Sequence, residues 1–199
     1  MRFQEQPQFK KEYYKTDLTG ADFTNLSSPS VRFKRTCLNE ACFVGVDAAV
    51  NMRLCKAHHL DLTGADLATS KIIECDLSYA YGIGLILNHA DLEEVTLINA
   101  DLRNSHFTNV VSTKCDFQGA DLRGADFSDG DFSDADFRGA DLRGTDFAGA
   151  NLKNALFDNC KMNEKTDFRC ATIPYSLRLN SEGNPQFSRL GYISVATYH

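Results

Sequence analysis

Residues 115–150 read CDFQG ADLRG ADFSD GDFSD ADFRG ADLRG TDFAG A, seven successive five-residue units with a small residue, an Asp and a Leu or Phe in fixed order. Asp stands at 116, 121, 126, 131, 136, 141 and 146 without a gap. Outward from this stretch, the large apolar slot can be followed from Leu62 to Met162. Of 21 positions spaced five apart, 19 hold Leu, Ile, Phe or Met, and only Gly82 and Ser112 fail. A column of mostly small residues runs two positions ahead of it, through Ala65, Ala80, Ala100, Ala120 and Ala140. A shorter block in another register precedes, where Leu18, Phe23, Phe33, Leu38 and Phe43 fill five of seven slots and Ser28 and Ala48 do not. The two blocks make 28 units.

This period excludes the ordinary elements. On an α-helix a step of five residues rotates by about 140°, so the apolar column would spiral and form no face. In a strand an odd step sends successive large residues to opposite faces. The chain must instead turn by the same amount in every unit and bring the large and the small residue inward each time, as short strands joined by tight turns in a solenoid do. Asp and Gly at the corners suit such turns.

Composition agrees. The 199 residues carry 27 acidic and 21 basic side chains, a net charge of -6, and the acids are 19 Asp against 8 Glu, a bias away from helix. A net acidic chain is not expected to contact nucleic acid directly. No apolar run reaches the roughly 18 residues of a membrane span, and the first residues lack the apolar core of a secretion signal, so the chain is expected in the cytoplasm and off the membrane. Seven Cys without a CxxC pair indicate reduced thiols.

With these units the chain resembles the pentapeptide-repeat proteins over roughly residues 16–170. The resemblance implies an all-β, right-handed, four-sided β-helix with four units per coil, hence about seven coils and a rod of ~34 Å at a strand spacing of ~4.8 Å. It also implies internal columns at intervals of 20, Phe107, Phe127 and Phe147 in one and Phe117, Phe137 and Phe157 in another. Residues 1–15 and 171–199 are expected to cap the open ends. In the branch of the family that protects type II topoisomerases from quinolones, a C-terminal segment makes a dimer. Arg189-Leu190-Gly191 faintly echoes that ending, which puts a homodimer through the tail among the expectations.

Two stretches interrupt the pattern. Ala48 and Leu62 lie 14 apart, one short of three units, so residues 49–59 are expected to leave the coil as a projecting loop. Around Gly82, the residues Tyr81, Ile83 and Ile86 are expected to face outward, and with Met52 and Arg53 of the loop they form a candidate apolar patch. Cys55-x-x-His58-His59 is the one metal-like cluster and falls short of the four ligands zinc usually takes. No metal, cofactor or catalytic residue is assigned, because no nucleophile, phosphate-loop or dinucleotide motif occurs and an Asp in nearly every unit is first a structural habit.

Charge then localises. Residues 115–150 hold nine Asp against Arg123, Arg138 and Arg143, so this segment carries the whole of the -6. In the four-sided arrangement Arg103, Arg123 and Arg143 ladder beside Asp101, Asp121 and Asp141 and neutralise one face. The candidate partner-binding acids are Asp116, Asp126, Asp129, Asp131, Asp134, Asp136 and Asp146. Two readings follow: a non-enzymatic scaffold or regulator that holds another protein, or, as the resemblance implies, a DNA mimic that binds DNA gyrase or topoisomerase IV and shields it from inhibitors.

Overall fold

The structure, a computed structural model, describes residues 12–27, 30–174 and 177. Five short strands, β1 (Glu12–Tyr14), β2 (Val31–Lys34), β3 (Val50–Arg53), β4 (Lys71–Ile73) and β5 (Asp91–Glu93), pair in parallel in that order. Their ladder continues through single bridges at Val111, Asp131, Asn151 and Thr172. This is wall 1. Three further parallel ladders run beside it: wall 2 from Asp17 to Leu156, wall 3 from Asp22 to Lys161 and wall 4 from Ser27 to Asp167. Walls 2 to 4 each stack eight levels, as Asp17, Cys37, Lys56, Asp76, Thr96, Asp116, Asp136 and Leu156 do. The chain is therefore a four-walled β-helix.

Each unit satisfies its own backbone. In the unit around Leu67, the N–H of Leu67 and of Thr69 donate to Ile86 and Asn88 on the next coil, and that of Asp66 to Val46 on the preceding one. The N–H of Ser70 closes the turn onto the Leu67 carbonyl. The fifth donor, Ala68 N–H, points outward, and the Asp66 carboxylate accepts it at 3.0 Å. The same contact recurs from Thr63 to Asp61, Ser128 to Asp126 and Ala148 to Asp146. Buried backbone donors need partners, so the recurrent Asp completes the unit's hydrogen bonding.

The turns place the last residue of most units at positive φ, which favours Gly and Asn. Asn99 (φ 55) stands over Gly119 (φ 66) of the next coil, its amide oxygen where a Cβ on Gly119 would lie. The same close approach recurs from Asn25 to Gly45, Asn104 to Gly124 and Asp129 to Gly149.

The interior is solid. Phe107 stacks on Phe127 (centroids 4.6 Å apart), Phe127 meets Phe147 tilted by 47° at 5.2 Å, and Phe147 stacks on Phe168 at 5.2 Å. From the opposite wall Phe117, Phe137 and Phe157 stack at 5.0 and 5.2 Å. The two columns meet edge to face, as Phe137 does with Phe147 at 82°. Both expected columns are present, and burial of each ring contributes about 2–3 kcal/mol. The failed slots are locally filled. Gly82 leaves its space to Leu102 and Leu85, whose methyls would collide with any Cβ there. One level beyond the small Ser112 on the same wall, Phe132 turns its ring toward Phe127 (4.7 Å) and over Gly130.

The projecting loop is not observed. Val50–Arg53 is strand β3, paired with β2 and β4, and Lys56 and Asp61 bridge both neighbouring coils. Ladder steps are 20 residues on either side, but Ser27↔Asp47 is followed by Asp47↔Asp66, a step of 19. One unit, Val46 to Ala49, has simply lost its last residue. Val50, Cys55 and Leu60 then fill the small slot, and Met52 and Ala57 the large one, all buried. A one-residue insertion among 163–165 makes the complementary shift, giving Asp146↔Asp167 a step of 21. Because residues 50–59 supply two regular units and the ladder of wall 1 runs on to Thr172, walls 2 to 4 stack eight levels and wall 1 nine, where about seven coils were expected. The expected caps lie largely outside the described residues, as does Arg189-Leu190-Gly191.

Candidate protein-binding surface

A filled interior leaves the outer walls as the working surface. On wall 3 the Arg103, Arg123 and Arg143 guanidiniums each grip the Asp two residues back, with Nε and Nη2 donating to its two oxygens at 2.6–2.8 Å. Arg103 also reaches Asp121 of the next coil at 3.8 Å, and Arg123 reaches Asp141 at 4.0 Å. The hydrogen bond from Arg103 holds Asp101 below the ordinary carboxylate range. The expected ladder is present, and wall 3 is neutralised through these coils.

The candidate acids divide among the other three walls. Asp116 and Asp136 follow one another on wall 2, Asp131 lies on wall 1, and Asp126 and Asp146 lie on wall 4. Asp129 and Asp134 occupy positive-φ corner positions on either side of wall 1. One of the seven does not fit the expectation of unpaired charge: Arg138 binds both oxygens of Asp136, Nη2 donating at 2.6 Å, because its unit repeats the Asp-x-Arg spacing of wall 3. Among the described residues, the other six make no ion pair with Lys or Arg. Asp116 accepts from Gln118, Asp126 from Ser128 and Thr108, Asp131 from Asn151 and Asp134 from Asn154. Burial would raise Asp126, but the Ser128 and Thr108 hydrogen bonds outweigh it and lower its pKa.

The apolar patch does not assemble as expected. Met52 is 1% exposed and belongs to the core, because the one-residue deletion puts it in the large slot. Arg53 projects from wall 1 and pairs with Glu74 at 3.3 Å. Ile86 is half-buried on wall 4. Tyr81 (50% exposed) and Ile83 do share wall 3, and Tyr79, which stacks on His59 at 5.2 Å, stands at the corner beside them. His58 Nε2 donates to the Asp76 carboxylate at 2.6 Å while Cys55 is buried, so the metal-like trio does not converge, and no metal-binding group of three occurs among the described residues. No helix among them is long and apolar enough to cross a membrane.

Reasoning from the sequence missed a basic field. Arg32, Lys34, Arg35 and Lys71 project from the early strands of wall 1, exposed, with Arg53 among them. The signal was a count by twenties, which the deletion at Ala49 throws out of phase.

A family model described as pentapeptide repeat region matches residues 90–168, and another described as pentapeptide repeats (8 copies) matches residues 61–97. No curated protein sequence matches the chain. Among crystal structures, HetL, a pentapeptide repeat protein involved in heterocyst differentiation regulation from the cyanobacterium Nostoc sp. strain PCC 7120, is 22% identical, covering 88% of this chain and 89% of that one at a TM-score of 0.47. Full-length QnrB1, a plasmid-mediated fluoroquinolone resistance protein, is 16% identical, covering 87% of this chain and 90% of that one at a TM-score of 0.42. Rfr23, a pentapeptide repeat protein from the cyanobacterium Cyanothece 51142, is 14% identical, covering 78% of this chain and 89% of that one at a TM-score of 0.40.

Proposed function

Because the chain belongs to the pentapeptide-repeat family, we propose that it is a non-enzymatic scaffold that binds another protein through its outer walls, in the cytoplasm. The observation that carries this is the filled interior: large and small slots are occupied level after level by Phe, Leu and Ala, so recognition falls to side chains set out on a rigid lattice. Asp116, Asp126, Asp129, Asp131, Asp134 and Asp146 are the contact residues this reading favours, since their charge is not taken up by a neighbouring Lys or Arg among the described residues. Long-range attraction from such a field raises the encounter rate with a basic partner and falls with salt.

A second reading deserves its own test on the same observation. Carboxylates spread over three walls between Asp116 and Asp146 present charge around the rod as phosphates do around duplex DNA, and a type II topoisomerase is the corresponding partner. Gyrase supercoiling with and without a quinolone, titrated with the protein, checks it. Protection or inhibition at micromolar protein supports the mimic, and no effect removes it. For the scaffold reading, cross-linking capture from an extract is compared between wild type and the Asp126→Asn/Asp129→Asn/Asp146→Asn variant. A captured protein lost with the variant supports the acidic contact; capture that is unchanged rejects it.

A further inference from the structure

The outward side of wall 1 changes sign along the rod. Its first levels carry Lys15, Arg32, Lys34, Arg35, Arg53 and Lys71 against Glu12 and Glu74, and its later levels Asp91, Glu93, Glu94, Asp131 and Asp134 against Lys114 and Lys153, with Lys71 and Asp91 paired at 3.4 Å where the two halves meet. Among the described residues Arg32, Lys34 and Arg35 make no ion pair, nor do Asp131 and Asp134. A linear polyanion laid along the basic half would run onto Asp91, Glu93 and Glu94 within a few levels. The occupant whose charge suits both halves is the same face inverted.

We propose that wall 1 is a self-complementary docking surface for a second copy of this chain. The two-fold axis runs along the strand direction, midway between the levels of Lys71 and Asp91. That operation inverts the rod and keeps the strand direction, so each outward column faces its own counterpart, as an isologous interface requires. Arg32 then meets Asp131 of the second copy and Arg35 meets Asp134, each twice by symmetry, while Lys71 and Asp91, paired within each chain at 3.4 Å, face the same pair of the second copy across the axis. Tyr14, 53% exposed, meets Lys153. Leu54, 37% exposed, lies along the stem of Lys114. The one like-charge encounter, Glu74 with Glu94, is softened within each chain, where Arg53 holds Glu74 at 3.3 Å and Lys114 holds Glu94 at 3.0 Å.

Seven level spacings of ~4.8 Å by roughly 14 Å of strand give a face of about 500 Å² per copy, at the low end for a specific interface. The dimer should accordingly be weak and sensitive to salt. Sedimentation of the full chain from about 1 to 100 μM in 50 mM and 500 mM NaCl tests this. The expected result is a concentration-dependent rise toward dimer mass at low salt and at least tenfold weaker association at high salt. Arg32→Glu/Arg35→Glu should be monomeric, and so should Asp131→Asn/Asp134→Lys, in which Asn keeps the carbonyl that accepts Ser133 N–H. Circular dichroism confirms that both remain folded, and their equimolar mixture should recover dimer, because unlike halves then face each other. A wild type that stays monomeric at 100 μM overturns the proposal, as does a dimer that survives either variant or a mixture that fails to associate. Binding of a duplex oligonucleotide through Arg32 and Arg35 without dimer would assign the basic half to a polyanion instead.

Discussion

Asp146 shows what the repeated carboxylate does. Its Oδ1 accepts the Ala148 N–H at 2.8 Å, the one backbone donor of its unit that no main-chain carbonyl accepts, while its charge still faces water. Asp146→Ala should therefore cost about 1 kcal/mol and Asp146→Asn less than ~0.5 kcal/mol, since Asn keeps an accepting oxygen. Urea unfolding checks both, and equal losses would mean that charge rather than the hydrogen bond matters. Acid acts on the same contacts. The Arg103 hydrogen bond lowers Asp101 and the Arg169 hydrogen bond lowers Asp167, so each is more acidic folded than unfolded. A depressed folded pKa contributes stability above the unfolded value that disappears as pH falls through the folded one. The urea midpoint should hold from pH 7 to about pH 5 and drop below about pH 4. Thiols divide by depth: burial pushes Cys115 up to about 11 and Cys160 up to about 12, whereas Cys170 is exposed. A thiol reagent on the native protein should label Cys170 at once and reach Cys115 and Cys160 only after denaturation.

At the scale of the unit, corners and slots must agree between coils. Gly119→Ala would place a Cβ both at φ 66 and against the Asn99 amide, and should cost about 1–2 kcal/mol. Adding Asn99→Gly should recover part of that loss by removing the collision and leaving the φ penalty, which a double-mutant cycle in urea would read. A fully additive pair would show that the two corners do not touch. The same scale explains what the sequence disclosed. The period of five was legible from spacing alone, and the Phe columns and the Asp–Arg ladder followed once the family resemblance implied four units per coil. The coil through Val50–His59 was not. A single residue missing after Ala49 shifts every later slot, and the units there carry Met52, Ala57, Val50 and Cys55 instead of Leu and Ala, so register and residue type both departed from the pattern. The placement of Met52 and the basic field on wall 1 failed for that reason, since both depend on the corrected register.

For the whole molecule, the net charge of -6 conceals an order. Wall 3 neutralises itself, the acids between Asp116 and Asp146 occupy the other walls, and wall 1 passes from basic to acidic along the rod. Each arrangement requires one unbroken stack of coils from Glu12 to Thr172, because a loop at 49–59 would uncouple the early basic strands from everything after them. Amide hydrogen exchange over residues 48–62 tests this directly. Lys56, Ala57 and Asp61 donate to carbonyls of Thr36, Asp76 and Ala41, so their amides should be protected as strongly as those of Asp76, Leu77 and Tyr81 on the next coil. Exchange of residues 50–60 at the rate of an open loop, with protection resuming only at Leu62, would contradict the continuous solenoid and the surfaces derived from it.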